Sequence, residues 1–203
     1  MRYILPVILF ALLVPAAQAY PKLPQPLPPV KANPANKLVD VPIEGSIYDG
    51  ATKCRNRRNA GITKLAGWLG AHTRGVFWGS YRCEKWGKHS ASLHAENRAI
   101  DWHLDAFNRA DQRAADKLIR LLLAPDNAGN PQALARRMGV EELIWDCGYW
   151  AAGMPDFMPY SPCFGKRGKP KKHMNVTVAH RDHIHIGMTK AGAKARTSFW
   201  TAH

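Results

Sequence analysis

The chain is poor in acid. It carries 15 Asp+Glu against 29 Lys+Arg, a formal charge of +14. Its four cysteines, Cys54, Cys83, Cys147 and Cys163, form no C-x-x-C pair, so a zinc-finger reading has little support. No short repeat is visible, which excludes collagen and coiled-coil architectures. Past the N-terminus there is no apolar run near the ~20 residues that a membrane helix needs. At 46% hydrophobic and 22% charged residues, disorder is not the default. The 203 residues fit one domain with a tail.

The N-terminus reads as an address. Arg2 is the only charge before an apolar run from Ile4 to Ala17, which holds Pro6 and Pro15 and is short of a membrane span. The run ends in Ala17-Gln18-Ala19, a small-x-small cleavage site. Residues 1–19 are therefore expected to be a secretory signal peptide, with the mature chain starting at Tyr20. No cysteine follows the site, so a lipid anchor is not indicated. The expected location is periplasmic or secreted, with no integral membrane segment after cleavage.

Export changes how the cysteines read. An even count in an oxidising compartment suggests two disulfides, and three connectivities are open. Cys54–Cys83 with Cys147–Cys163 is favoured because each closes a modest loop. A loop the size of the second contributes ~3 kcal/mol in the chain-entropy model. Outside the cytoplasm the positive charge suits anionic surfaces such as cell-wall polymers.

Residues 20–38 are Pro-rich and read as an extended linker, with a folded domain over 39–203. Residues 58–72 carry Ile62, Leu65, Ala66 and Leu69 at helical spacing, and residues 110–124 carry a clear apolar stripe ended by Pro125. A short helix is expected from Pro131 to Met138, capped by Asn130 and stopped by Gly139. Strands are expected at 76–81, 99–104, 142–145 and 183–186. Residues 164–173 read as a basic loop. The expected fold class is α+β, a small mostly antiparallel sheet of four or five strands with flanking helices.

Three segments carry chemistry: Gly79-Ser80-Tyr81-Arg82, Ser92 to Asp101, and Arg181-Asp182-His183-Ile184-His185. In H-x-H on a strand both imidazoles project to one side, ~6.5–7 Å apart along the chain. One can bind metal while its neighbour reaches the reacting group. Asp182, three residues before His185, is near enough in sequence to take a proton from a metal-activated water. His94 and Asp101 are the obvious pair to complete a ligand set. Asp101 lies in an otherwise apolar strand, where a carboxylate is costly unless paired or metal-bound. Tyr81 and Trp102 read as core residues.

Taken together, S-x-H-x-x-x-x-A-x-D at Ser92–Asp101 and D-H-x-H at Asp182–His185 resemble the zinc metallopeptidases of the D-Ala-D-Ala carboxypeptidase type. That family belongs to a wider group that also holds lysostaphin-like endopeptidases and the hedgehog domain. Ser80-Tyr81-Arg82 is similar to the family's S-x-Y-R element. The resemblance implies a hedgehog/D-Ala-D-Ala-peptidase-like fold and Zn2+ held by His94, Asp101 and His185. It makes Asp182 the general base and gives His183 the developing oxyanion or the orientation of the scissile group. Arg82 would hold a substrate carbonyl or carboxylate, and Ser92 would support the metal shell. Asn97 stands where the family has Gly, and Asn tolerates positive φ better than most residues. Asp182 stands where the family often has Glu. His180 offers an alternative register shifted by two residues, with no carboxylate base then at the right place.

The implied activity is zinc-dependent hydrolysis of peptidoglycan peptides, as an endopeptidase or a carboxypeptidase, by a monomer. Anionic wall polymers are further expected partners, and nucleic acid is not expected. A non-catalytic, zinc-containing wall-binding module is the alternative.

Overall fold

The computed structural model describes Leu23 and residues 26–202. The expected signal peptide, residues 1–19, lies outside the described residues. Five α-helices occur among the described residues, α1 (Ala60–His72), α2 (Arg109–Leu123), α3 (Ala133–Met138), α4 (Lys190–Ala193) and α5 (Ser198–Thr201). The strands are β1 (Val76–Gly79), β2 (Lys85–Gly87), β3 (Ser90–Ala91), β4 (Ala99–His103), β5 (Val140–Trp145), β6 (Gly148–Ala151), β7 (Met158–Pro159) and β8 (His183–Met188). Six of them form one antiparallel sheet in the order β1-β4-β8-β5-β6-β7, and β2 with β3 forms a small hairpin. The fold class is α+β, as expected.

The helices follow from their apolar stripes. Ile62, Leu65 and Leu69 of α1 and Ala115, Leu118, Ile119 and Leu122 of α2 are buried. Asn108 caps α2, its side chain accepting from the N–H groups of Ala110 at 2.9 Å and Asp111 at 3.3 Å. These faces join Ile100, Trp102, Leu143, Trp145, Trp150, Ile184 and Ile186 in one core. Strand alternation then sends Asp101, His103, Glu142, Tyr149, His183 and His185 to the opposite face of the sheet. Polar chemistry is thereby segregated from the helix-covered side.

Three expectations are corrected. The short helix starts at Ala133, with Gln132 rather than Asn130 at its N-cap, in a left-handed conformation at φ 55. Asn130 is committed elsewhere, because buried Asp126 accepts both its backbone N–H at 3.0 Å and its side-chain amide. The main sheet has six strands, one more than the upper expectation of five. The hairpin joining β5 to β6 turns through Asp146 and Cys147, both at positive φ, without the Asn-Gly signature that announces such turns. The Pro-rich stretch does not stand off as a spacer. Leu23, Leu27, Ala35 and Leu38 enter the main core, and a 3-10 helix over Pro34–Leu38 lies against α3 and α5. The apolar residues between the prolines account for this burial.

Both favoured disulfides are present, Cys54–Cys83 and Cys147–Cys163, and no described cysteine is free. Two disulfides fit the oxidising environment of a secreted protein. Among the described residues no helix is long and apolar enough to cross a membrane.

Candidate metal centre

The site is assembled on the central strands. The β4–β8 register sets Asp101 opposite His185 and His103 opposite His183. The remaining residue comes from a 3-10 turn, Leu93–Glu96. Ser92 opens this turn, its hydroxyl accepting from the His94 N–H at 3.3 Å. Asn97 closes it in the left-handed region at φ 54, the conformation that Asn tolerates. The turn sits directly on β8. A Cβ at Gly187 would stand 2.3 Å from Leu93 Cδ1 and 3.0 Å from Glu142 Cβ. Glycine at that position leaves the room that Leu93, next to His94, takes up against the sheet.

His94 Nε2 lies 3.0 Å from Asp101 Oδ1 and 3.0 Å from His185 Nδ1, and His185 Nδ1 lies 3.4 Å from Asp101 Oδ1. The outward-facing nitrogens are already engaged. His94 Nδ1 donates to the Ser80 carbonyl at 2.9 Å, and His185 Nε2 donates to Glu142 Oε1 at 3.0 Å. These bonds assign the lone pairs to His94 Nε2 and His185 Nδ1. Two imidazole lone pairs and a carboxylate oxygen therefore converge with no donor among them. Ligands at ~2.0–2.1 Å in a tetrahedral set stand about 3.3–3.4 Å apart, close to the edges seen here. The buried His94–Asp101–His185 group can hold a metal ion.

When no metal is bound, a proton must take that place. Burial works against a charged His185, yet its hydrogen bonds to Asp101 and Glu142 push its pKa up to about 9. Burial lowers the pKa of His94. Burial also resists ionisation of Asp101, but its contacts with His185 and His94 hold its carboxyl far below the usual range.

Glu142 was read from the sequence only as part of a strand. It is buried, and its second oxygen accepts from the hydroxyls of Tyr48 at 3.0 Å and Tyr149 at 3.3 Å. Burial opposes its ionisation, but hydrogen bonding to His185 and both tyrosines lowers its pKa. The signal that singled out Asp101, a carboxylate inside an apolar strand, was equally present in Val140–Trp145. The Glu142→Gln variant is expected to keep the fold and weaken metal binding about 10- to 100-fold. Competition with a chromophoric chelator measures this, and unchanged affinity would remove Glu142 from the centre.

Asp182 and His183 are drawn together, but only one of them faces the cluster. Asp182 Oδ1 accepts from His183 Nδ1 at 2.7 Å, and Oδ2 accepts from the Thr177 hydroxyl at 2.5 Å. Burial slightly opposes its charge, yet the bonds from Thr177 and His183 lower its pKa. His183 Nε2 lies 3.5 Å from Asp101 Oδ1, buried and without a hydrogen-bond partner among the described residues. With Nδ1 donating to Asp182, Nε2 holds a lone pair beside the three acceptors. His180 is packed against both histidines, with ring centroids 4.7 Å from His183 and 5.9 Å from His185. Burial and those two neighbours push its pKa down to about 2, so it stays neutral.

Arg82 reaches the mouth of the site. Its Nη1 is paired with Asp101 Oδ2, and its Nε with Glu84 at 2.9 Å, while the side chain remains 43% exposed. Ser80 and Arg82 thus grip His94 and Asp101 from one loop. Trp102 is core, as expected, but Tyr81 is exposed. The sequence reading did not pick out Thr177, His103 or Trp78. His103 Nδ1 donates to the Asp182 carbonyl at 2.7 Å, and Trp78 stacks on His103 with centroids 4.6 Å apart. A register shift between Phe77 and Gly79 in β1 places Trp78 beside the site. Comparison with known proteins adds no constraint on this centre: no family model, no curated protein and no solved structure matches the chain.

Proposed function

We propose that the chain is a zinc-dependent peptidase of cell-wall peptides, built on a hedgehog/D-Ala-D-Ala-peptidase-like fold. The observation that supports this most is the pairing of two features in one buried spot. Three acceptors converge at His94, Asp101 and His185, and the orphaned lone pair of His183 Nε2 stands beside them. A ligand set of two His and one carboxylate suits Zn2+ with one position left open. Bound there, Zn2+ supplies the Lewis acidity that makes water a competent nucleophile near neutral pH.

The chain's own residues divide the remaining work. His183 Nε2 takes the proton from the attacking water and returns it to the leaving amine. Asp182 fixes the His183 tautomer through Nδ1, and Thr177 fixes Asp182. This differs from the expectation that Asp182 is the base, because both of its oxygens are turned to other partners. Arg82 offers a planar, charged fork at the mouth for a substrate carbonyl or carboxylate. Glu142 and the Ser80 carbonyl hold the two ligand imidazoles in orientation.

Elemental mass spectrometry of the chain from residue 20 onward, paired with an amine-release assay on peptidoglycan, tests the reading. The expected result is about one zinc per chain, lost in His94→Ala, with release of new amines that stops on chelation. No metal after zinc is added back would overturn the metal centre. Bound zinc without amine release would leave the wall-binding module as the function.

A further inference from the structure

Much of the positive charge lies away from the metal centre. A cavity of about 330 Å³ opens between the segment preceding α1, the end of the Leu93–Glu96 turn, and α4. Six cations line it, Lys53, Arg55, Arg57, Arg98, Lys190 and Lys194, against a single acid, Glu96. That acid is already used. Glu96 Oε1 accepts from the Thr52 N–H at 3.0 Å, and Oε2 accepts from Arg98 Nε at 3.1 Å. Arg98 spends its other donors on Glu141 at 2.8 Å and on the Met188 and Asp49 carbonyls, both at 2.6 Å. Lys190 pairs with Asp49 at 2.5 Å. Lys53, Arg55, Arg57 and Lys194 make no ion pair among the described residues, so the lining carries a large uncompensated charge.

The segment that presents these cations is held rigidly. Cys54 is tied to Cys83 by a disulfide. The Arg55 N–H donates to the Ala95 carbonyl at 2.5 Å, and the Arg57 carbonyl accepts from Asn97 Nδ2 at 2.7 Å. Asn59 bonds to the Glu96 and Asn97 carbonyls instead of capping α1, and the first turn of α1 holds no acid. The backbone is therefore fixed while the guanidinium and ammonium heads are left without partners. A fixed backbone that gathers unpaired cationic heads around one cavity lowers the entropic cost of bringing them onto an anion.

We propose that this cavity is a binding site for a phosphate group, as a monoester or diester. Two guanidinium forks and two ammonium heads exceed what one carboxylate can neutralise. A phosphate group offers up to two charges and several acceptor oxygens, and arginine recognises it with two parallel hydrogen bonds. The cavity volume falls at the lower end of ordinary ligand pockets, about 300–1,000 Å³. The site is separate from the metal centre and does not rest on the peptidase reading.

Titration of isotope-labelled protein with inorganic phosphate at constant ionic strength tests it by amide NMR. The expected result is saturable shifts confined to residues 52–59, 96–98 and 190–194. The double variant Arg55→Gln/Arg57→Gln is expected to weaken binding about tenfold or more. Both side chains are exposed and make no ion pair among the described residues, so the fold is retained, which the unshifted amides report. Glycerol phosphate and phosphatidylglycerol vesicles then separate the sources. Binding to both points to a lipid headgroup, and binding to glycerol phosphate alone points to a soluble or polymer-borne phosphate; either supports the site. A linear drift without saturation, an equal response to chloride, an unchanged affinity in the variant, or shifts confined to His94, Asp101 and His185 would each overturn it.

Discussion

His183→Ala is expected to leave the metal bound and to lower peptide hydrolysis by about 10²- to 10⁴-fold, the range for loss of a positioned acid–base group. The imidazole faces the ligand cluster without being a ligand, its Nε2 at 3.5 Å from Asp101 Oδ1 with a lone pair free to take a proton. Asp182→Asn is expected to act differently. Its carboxylate reaches the site only through the 2.7 Å bond to His183 Nδ1. Losing that charge destabilises the imidazolium formed when His183 takes a proton. The variant should therefore lose part of the rate and shift the pH–rate profile, with substrate binding little changed. Steady-state kinetics across pH, with zinc content measured in parallel, separates the two residues. Full loss in Asp182→Ala beside a nearly active His183→Ala would reverse the assignment and make the carboxylate the base.

The second large effect is on stability as well as on metal. His185→Ala removes one of three ligands and is expected to abolish tight metal binding. It should also destabilise the protein kept metal-free by a chelator. In that form His185 lies between two buried carboxylates, 3.4 Å from Asp101 and 3.0 Å from Glu142. Breaking a buried ion pair by removing one partner costs about 3–5 kcal/mol, because the other charge stays buried. Asp101 keeps Arg82 and His94, so most of the penalty should fall on Glu142. Adding Glu142→Gln to His185→Ala should therefore recover stability in a denaturant titration with chelator present. Equal stability of His185→Ala and the parent protein under those conditions would show that the imidazole does not carry the bridge.

Much of this arrangement was legible in the sequence. The apolar stripe of α2, the favoured disulfide partners and the shared face of His183 and His185 follow from local pattern and spacing, whereas the grouping of His94, Asp101 and His185 and the notice taken of Ser92 and Asn97 come from the family resemblance. The proposed division of labour between Asp182 and His183 rests on which side chain faces the cluster, and the strand period carries that information. Asp182 stands out by its closeness to His185 along the chain and by the family resemblance. On a strand, residues three apart fall on opposite faces, whereas His183 and His185, two apart, share one. Glu142 was missed because its significance depends on a register, the pairing of β5 with β8, that local pattern does not specify. The β5–β6 hairpin was missed because its turn uses Asp146-Cys147, where the disulfide to Cys163 fixes a backbone that glycine usually supplies. The packed prolines show the converse limit. Composition reported an extended backbone but could not report that the leucines between the prolines find a core.

The order of strands has a consequence for synthesis. β8 lies between β4 and β5 at the centre of the sheet, yet it is the last strand in the chain. Until residues 183–188 have emerged, β4 and β5 each lack their central neighbour and the helices have only part of a surface to cover. Nascent chain and truncated products ending before His183 would therefore expose unpaired strand edges and lack the closing ligand. His94 and Asp101, seven positions apart, come together early, but His185 follows His94 by 91 residues. A chain made from its N-terminus cannot complete the group before residue 185 has emerged. The group that could hold a metal is thus closed by the last of the described strands to be made.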